Sequence, residues 1–374
     1  MAVFQPALPQ YRVPVFRELA RRPGINLTLH YADTPGLPNA QPDGFEARPL
    51  PVARLLGRGP FVTRELTKRS RQSDVAVFSW NANDLALPLA LRSARRRGVG
   101  SVLWGHGFGQ PERPLRRRLR DALGRRADAI LLYDKQTAAA LKGRGFEARR
   151  LFVAQNALDE QALLASAEPW RESPNRLKTF REEHRLQGRK VLLFVGRLSG
   201  KLPVELLLDA VAAVRSRSPE ALFVMIGGPA EEADRLRDLA AGAGVAEAMR
   251  FVGPVYDHEQ LAAYFLTARG FAFPRTIGLS LMHAFAYGLP VVTDDAFGTH
   301  GPEIRALRDG ENGLLYRAGD AASFAEKLLV LLKDDVLHAK LSAGAAATVR
   351  DDYNLKTMVD GFEAAVRFAA AQHG

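Results

Sequence analysis

The chain has 374 residues, of which 47% are hydrophobic and 25% charged, an ordinary globular mix. It contains no cysteine, which excludes disulfides, thiolate nucleophiles and cysteine metal sites, and it has no apolar run of the roughly 18–20 residues that a bilayer span needs. The net charge of +11 is unevenly spread: residues 1–150 hold 27 Lys+Arg against 12 Asp+Glu, and the remainder 25 against 29. A basic half points to anionic partners such as membrane lipids or phosphorylated acceptors, although Arg-rich solvated helix faces account for the same charge. Nucleic acid is not expected, because the Arg runs lack interleaved aromatics and no nucleic-acid motif is present. The start of the chain shows no signal-peptide pattern, so the cytoplasm, extending to the inner face of the cell membrane, is the expected location.

At this length two domains are expected. In the first half, strand and helix patterns alternate. Ala2 to Phe4 reads as a strand, followed by a loop, Gln5 to Arg12, and a helix from Val15 to Ala20. Asn26 to Tyr31 alternates like a strand, and Leu55 to Arg71 reads as a basic helix with one apolar side. Val75 to Trp80 is an apolar strand running into the polar turn Asn81 to Asp84, and the helix Leu85 to Arg97 follows. The strand Ser101 to Trp104 runs into Gly105-His106-Gly107, and Pro114 to Arg126 is a helix carrying Arg116-Arg117-Arg118. The strand Ala129 to Tyr133, the helix Gln136 to Lys142 and the strand Leu151 to Ala154 complete this half.

Asn156 to Asp159 reads as a boundary, and a polar helix-like insert leads to a second series. Its strands are Val191 to Val195, Ala221 to Ile226, Arg250 to Val252, Gly270 to Phe273 and one starting at Val291; helices stand between them. Such alternation predicts an α/β protein with two doubly wound, Rossmann-like parallel-sheet domains facing a cleft. The expected division is 1–158 and 159–351, with the amphipathic helix of 352–374 returning to the first domain.

Several strand ends carry residues suited to an anionic ligand. Gly196-Arg197 and Lys201 put a planar guanidinium and a mobile ammonium past one strand, a combination that suits a pyrophosphate. The stretch from Gly270 to Glu303 reads as strand, loop, helix, strand, with the loop Arg275 to Gly278 at the carboxyl edge, where open α/β sheets bind ligands. No P-loop, metal-ligand spacing or nucleophile elbow is present, so no metal or cofactor is expected.

The segments VLLFVGRLSGK, LFVMIGGP, RFVGPV and FPRTIGLSLMHAFAYGLPVV…PEI…DGENGLL resemble, in order and spacing, the retaining GT-B glycosyltransferases of family 4. The resemblance covers most of residues 151–350. In the first half it extends to WGHG at Trp104 to Gly107 and to VAQNALD at Val153 to Asp159. It implies transfer of a sugar from a nucleotide diphosphate sugar to an acceptor hydroxyl, in cell-surface polysaccharide, lipopolysaccharide or glycolipid assembly. The implied catalytic residues are Arg197 and Lys201, on the donor diphosphate, and His106, facing the donor sugar from the opposite domain. The implied donor site comprises Gly196, Gly228, Val252, Gly253 and Glu303 together with the loop Thr276, Ile277, Gly278 and Leu279, whose N–H groups would meet the phosphates. The acceptor side takes in Gln10, Tyr11, Arg12 and Asn81, and the acceptor would be a saccharide or a lipid-linked one.

Where the family carries two glutamates eight residues apart, this chain has Arg275 and His283. His283 has the atoms to bond a ribose diol; the alternative, from its place on a helix between Met282 and Ala284, is a half-buried packing role. Arg275 suits a phosphate, an acidic sugar or open solvent. The substitutions leave room for a second reading, a GT-B scaffold that binds a nucleotide sugar or a protein partner without turnover.

Overall fold

The computed structural model describes residues 1–54, 61–108, 113–198 and 202–374. Two compact units divide the chain, one formed by 1–159 with 354–374 and the other by 160–353.

The first unit runs β1 (Ala2–Gln5), α1 (Val13–Ala20), β2 (Thr28–Tyr31), β3 (Glu46–Pro49), β4 (Val52–Arg54), β5 (Phe61–Thr63), α2 (Leu66–Ser70), β6 (Val75–Ser79), α3 (Leu87–Arg96), β7 (Gly100–Trp104), α4 (Pro114–Gly124), β8 (Ala129–Leu132), α5 (Lys135–Gly143) and β9 (Leu151–Val153). Seven of these strands form one sheet in the order β3-β2-β1-β6-β7-β8-β9, with every pairing parallel. The chain lays β2 and β3 on one side of β1, then returns to place β6 on the other. The carboxyl ends of β1 and β6 therefore flank a switch point, where an open α/β sheet leaves a crevice for ligands. Residues such as Val77, Val102 and Leu131 are fully buried because helices cover both faces.

One expectation fails in this unit. Instead of a helix from Leu55 to Arg71, β4 pairs antiparallel with β5, and only Leu66–Ser70 is helical; Leu55 to Pro60 lie outside the described residues. Phe61-Val62-Thr63 is a β-branched and aromatic triplet, which favours a strand. Gln10–Arg12, expected as loop, forms a 3₁₀ turn that leads into α1.

The second unit runs α6 (Glu160–Arg171), α7 (Pro174–Glu183), β10 (Lys190–Val195), α8 (Val204–Arg217), β11 (Ala221–Ile226), α9 (Ala230–Gly242), β12 (Met249–Gly253), α10 (His258–Thr267), β13 (Ala268–Ala272), α11 (Ser280–Ala286), β14 (Val291–Asp294), β15 (Gly313–Tyr316), α12 (Ala321–Lys333) and α13 (Asp335–Asp351). Its sheet has the order β12-β11-β10-β13-β14-β15 and is parallel throughout. Here the switch point lies between β10 and β13. Asp257, Asp320 and Asp334 cap helices in this unit, accepting from the N–H of Gln260, Ser323 and Leu337, each contributing about 1 kcal/mol.

The final helix, α14 (Leu355–Ala370), belongs to the first unit. Met358, Phe362, Ala365 and Ala369 recur at helical spacing and join the core that holds Val3, Val77 and Trp104. Phe362 meets Trp104 edge-on at 5.0 Å between ring centroids. Gly361 is required there: a Cβ would collide with the Val153 carbonyl. Among the described residues, no helix is long and apolar enough to cross a membrane.

Candidate active site

In the second unit the ends of β10, β11 and β12 are stitched together by backbone bonds. Gly196 N–H donates to Ile226 C=O at 3.0 Å, Leu198 N–H to Gly228 C=O at 2.8 Å, and Gly227 N–H to Gly253 C=O at 3.0 Å. This approach is too close for side chains. A Cβ on Gly227, whose φ is +147°, would overlap the Gly196 carbonyl. The structure thus gathers the sequence-selected Gly196, Gly228 and Gly253, with half-buried Val252, into one seam. Arg197, on the residue after it, is exposed. Lys201 lies outside the described residues.

The loop after β13 is fixed at three points. Tyr316 Oη donates to the Pro274 carbonyl. Ile277 N–H donates to His300 Nδ1 at 3.0 Å, and Gly301 N–H donates to the Ile277 carbonyl at 2.8 Å. Because Nδ1 accepts, the ring proton sits on Nε2, which donates to Asp294 Oδ1 at 2.8 Å. Both side chains are sealed from solvent, at 0% and 3% exposure. These anchors hold Thr276 at φ +61°, a left-handed conformation that a β-branched residue adopts only at a cost of about 1–3 kcal/mol. Burial, reinforced by Asp294, raises the pKa of Tyr316, so its hydroxyl stays protonated as a donor.

Two expected donor contacts are revised by this geometry. Ile277 N–H is already spent on His300, so it offers nothing to a phosphate. His283 is partly buried with Nε2 closed to solvent and unpartnered, its ring 4.6 Å from that of Phe265 and 5.6 Å from that of Tyr287. Burial, with a smaller push from His258, lowers its pKa to about 3. It therefore acts as a neutral packing residue. Arg275 and Thr276 are exposed, Gly278 and Leu279 half-buried. Glu303 is 3% exposed, with its carboxylate tucked under Gly278 and Gly301: a Cβ on Gly301 would strike Glu303 Oε2. His300, Asp294 and Tyr316, which hold the loop, carry no motif that sequence reasoning could have picked out.

In the first unit a polar pocket of about 560 Å³ opens at the carboxyl ends of β6, β7 and β8, lined by Asn81, His106, Tyr133 and arginines of the α4 region. The His106 ring lies 4.8 Å from that of Tyr133. Its outer edge is open to solvent, yet desolvation in the pocket, followed by the Arg12 charge, lowers its pKa below the ordinary histidine value; Asp134 opposes this. Gln10 is exposed and Tyr11 half-buried. Arg12, expected at an open loop, is instead 6% exposed, with its guanidinium 4.7 Å above the Trp104 ring.

The model for Glycosyltransferase Family 4 matches residues 15–162, and that for Glycosyl transferases group 1 matches 189–334, together more than half of the chain. The chain belongs to the family 4 glycosyltransferases. Among curated relatives of this glycosyltransferase-family chain, a phosphatidyl-myo-inositol mannosyltransferase of Mycobacterium leprae (strain TN) is 36% identical over 172 residues, 44% of either chain. A D-inositol 3-phosphate glycosyltransferase of Stackebrandtia nassauensis is 36% identical over 166 residues, 41% of this chain and 36% of the relative. The matched part thus spans less than half the length of these relatives. HepE from Anabaena, solved with UDP, superposes at a TM-score of 0.71 with 15% identity, over 97% of this family 4 chain and 98% of HepE. That likeness shows the GT-B fold. HepE has also been solved with UDP-glucose.

Proposed function

We propose that the protein is a retaining glycosyltransferase that moves a sugar from a nucleotide diphosphate sugar to an acceptor hydroxyl. The observation that carries this reading is the set of strand ends and loops beside the switch point of the second sheet. There a glycine seam allows close backbone approach, Arg197 and Arg275 supply permanent positive charge, and a pinned loop ends beside the buried Glu303 carboxylate. As the glycosidic bond breaks, negative charge grows on the leaving diphosphate. Arg197 and Lys201 would stabilise that charge more strongly in the transition state than in the ground state, which accelerates the bond-breaking step. Cations of the chain fill the role of a metal, and no other cofactor is invoked. Departure of the leaving group and entry of the acceptor on one face, with the departing phosphate taking the acceptor proton, would retain configuration.

The acceptor would bind in the basic first unit, at a membrane surface. Leu89, Leu115 and Leu119 on α3 and α4 are 64%, 79% and 46% exposed and sit among Arg92, Arg95, Arg96 and Arg116 to Arg118. Apolar tips beside clustered cations suit an anionic leaflet. A glycolipid or another lipid-linked saccharide of cell-surface assembly fits such a location.

Calorimetry with a panel of nucleotide sugars, followed by hydrolysis and transfer assays, tests the reading. Arg197→Ala should lower turnover by about 10²–10³, the loss typical of removing one charge-stabilising donor; full activity in that variant would sink the assignment. A second reading, a binding scaffold without turnover, is favoured by Arg275 and by the packed His283 in the glutamate positions. Nucleotide-sugar binding without any cleavage would establish it.

A further inference from the structure

A second cavity, of about 200 Å³, lies in the first unit at the carboxyl ends of β1 and β6, the two strands that flank its switch point. Phe4 and Phe78, paired across those strands, line it with rings 5.5 Å apart between centroids and 12° from parallel. Buried Leu50, Leu66 and Leu87 add apolar surface, and the β4–β5 hairpin supplies Phe61. That hairpin is fastened to the turn after β6. Phe61 N–H donates to the Asn83 carbonyl at 3.0 Å, and Leu85 N–H donates to the Phe61 carbonyl at 2.9 Å. Buried Asp84 accepts from Thr63 N–H at 3.1 Å and from Thr63 Oγ1 at 2.6 Å. The wall is therefore formed before any ligand arrives, which keeps the ordering cost of binding low.

Size and lining select the occupant. An apolar cavity of about 150 Å³ stays dry and admits benzene, so this one has room for a single substituted ring and is short for the acyl chain of a membrane lipid. Three phenylalanines suit a ring, because aromatic groups pack well stacked or edge-on. An anion is disfavoured: among the described lining residues none is Lys or Arg, while Asp33 and Asp84 are present. The cavity also adjoins the polar pocket that holds His106, for Gln5, Pro6, Ser79 and Asn81 line both. At this junction Ser79 Oγ and Asn81 Nδ2 make no hydrogen bond among the described residues; Asn81 uses only its Oδ1, which accepts from Asn83 N–H. An apolar chamber and a polar one thus share a border that carries two unused hydrogen-bonding groups.

We propose that the first unit takes an acceptor built on an aromatic aglycone. The ring fills the apolar cavity between Phe4, Phe78 and Phe61, and the hydroxylated part extends into the polar pocket lined by His106. Ser79 and Asn81 bond the acceptor where its two parts join. Burial of the ring supplies most of the affinity, and the polar groups fix its orientation. The inference rests on the transferase reading for the word acceptor, while binding of the ring is measurable without it.

The test is calorimetry on the full chain with the phenyl, hexyl and methyl β-glycosides of glucose, galactose and mannose, and with benzyl alcohol as the ring alone. For at least one sugar the phenyl glycoside should bind at least tenfold more tightly than the methyl glycoside, and benzyl alcohol should compete with it. Val52 is half-buried on the hairpin and lines the cavity. Val52→Trp puts an indole into that space at a strand position, where an aromatic residue is well accommodated. It should weaken the phenyl glycoside by about tenfold, leave the methyl glycoside unchanged and leave nucleotide-sugar binding unchanged. Phe61→Leu is the second variant; it keeps an apolar side chain, removes one aromatic partner and should weaken the phenyl probe severalfold. Melting temperatures measured alongside separate loss of the cavity from loss of the fold. Equal affinity for phenyl and methyl glycosides across the three sugars, or no binding by any aryl probe, overturns the proposal. A hexyl glycoside that binds more tightly than its phenyl counterpart overturns the assignment of a ring. So do two folded variants that bind the phenyl probe as tightly as the native chain. Donor hydrolysis, read separately, reports on the transferase reading: its absence alongside intact binding of the aryl probe would count against that reading only.

Discussion

Replacing His300 by leucine probes how the loop after β13 is held. The substitution keeps a bulky side chain but removes the acceptor for Ile277 N–H and the donor to Asp294, both in the interior. Each buried polar group left without its partner costs about 1–3 kcal/mol, so the sum is about 2–6 kcal/mol. Asp294 keeps the bond from Ala296 N–H at 2.9 Å, which holds its share toward the lower end. A folding unit of this size loses roughly 2–4 °C of melting temperature per kcal/mol, so a fall of about 10 °C is expected by calorimetry. The freed loop no longer holds Thr276 in its left-handed conformation, and nucleotide-sugar affinity should drop together with stability. Asp294→Asn is the control: its amide oxygen still accepts from Nε2–H, so it should lose less than half as much. A His300→Leu protein that melts within 2 °C of the native chain would refute the reasoning.

Three further outcomes follow from the same geometry. Gly227→Ala places a Cβ on the Gly196 carbonyl at a φ unsuited to alanine; backbone strain of about 1–3 kcal/mol plus displacement of Gly196 should lower stability by several kcal/mol and weaken donor binding, whereas native-like melting would show that the seam tolerates a side chain. His283 has a folded pKa of about 3, against about 6.5 unfolded. The unfolded chain therefore binds more protons between those values, and stability present above pH 6.5 is lost as pH falls, by about 2 kcal/mol at pH 5. His30, lowered to about 4 by burial and by Arg69, acts in the same direction. His283→Leu should flatten the acid slope in denaturant titrations, and an unchanged slope would remove His283 as its source. Finally, the His106 resonance should titrate below the ordinary histidine range and move upward in Arg12→Met, since one cause of its depression is then gone; a titration indifferent to Arg12 would break the link between them.

The interior strands were legible because parallel strands covered on both faces are continuous apolar runs: Val191 to Val195 and Ala221 to Ile226 need no context to be read. Edge elements were not. Glu46–Pro49 is polar because it lies at a sheet margin, and the β4–β5 hairpin sits in a basic stretch whose periodicity mimics a helix. Glycines at strand ends were legible as candidates because backbone crowding selects them for want of a Cβ. The sequence by itself determined the strand–helix alternation, the family pattern and the basic character of the first half. These are local or additive properties of the chain. Tertiary structure alone decided strand order, and with it which loops share a switch point. It turned His283 into packing, spent Ile277 N–H on His300, and buried Arg12 beside a pocket it was expected to face from an open loop. Each of those outcomes depends on which groups from distant segments meet out of water, and the linear spacing of residues does not encode that.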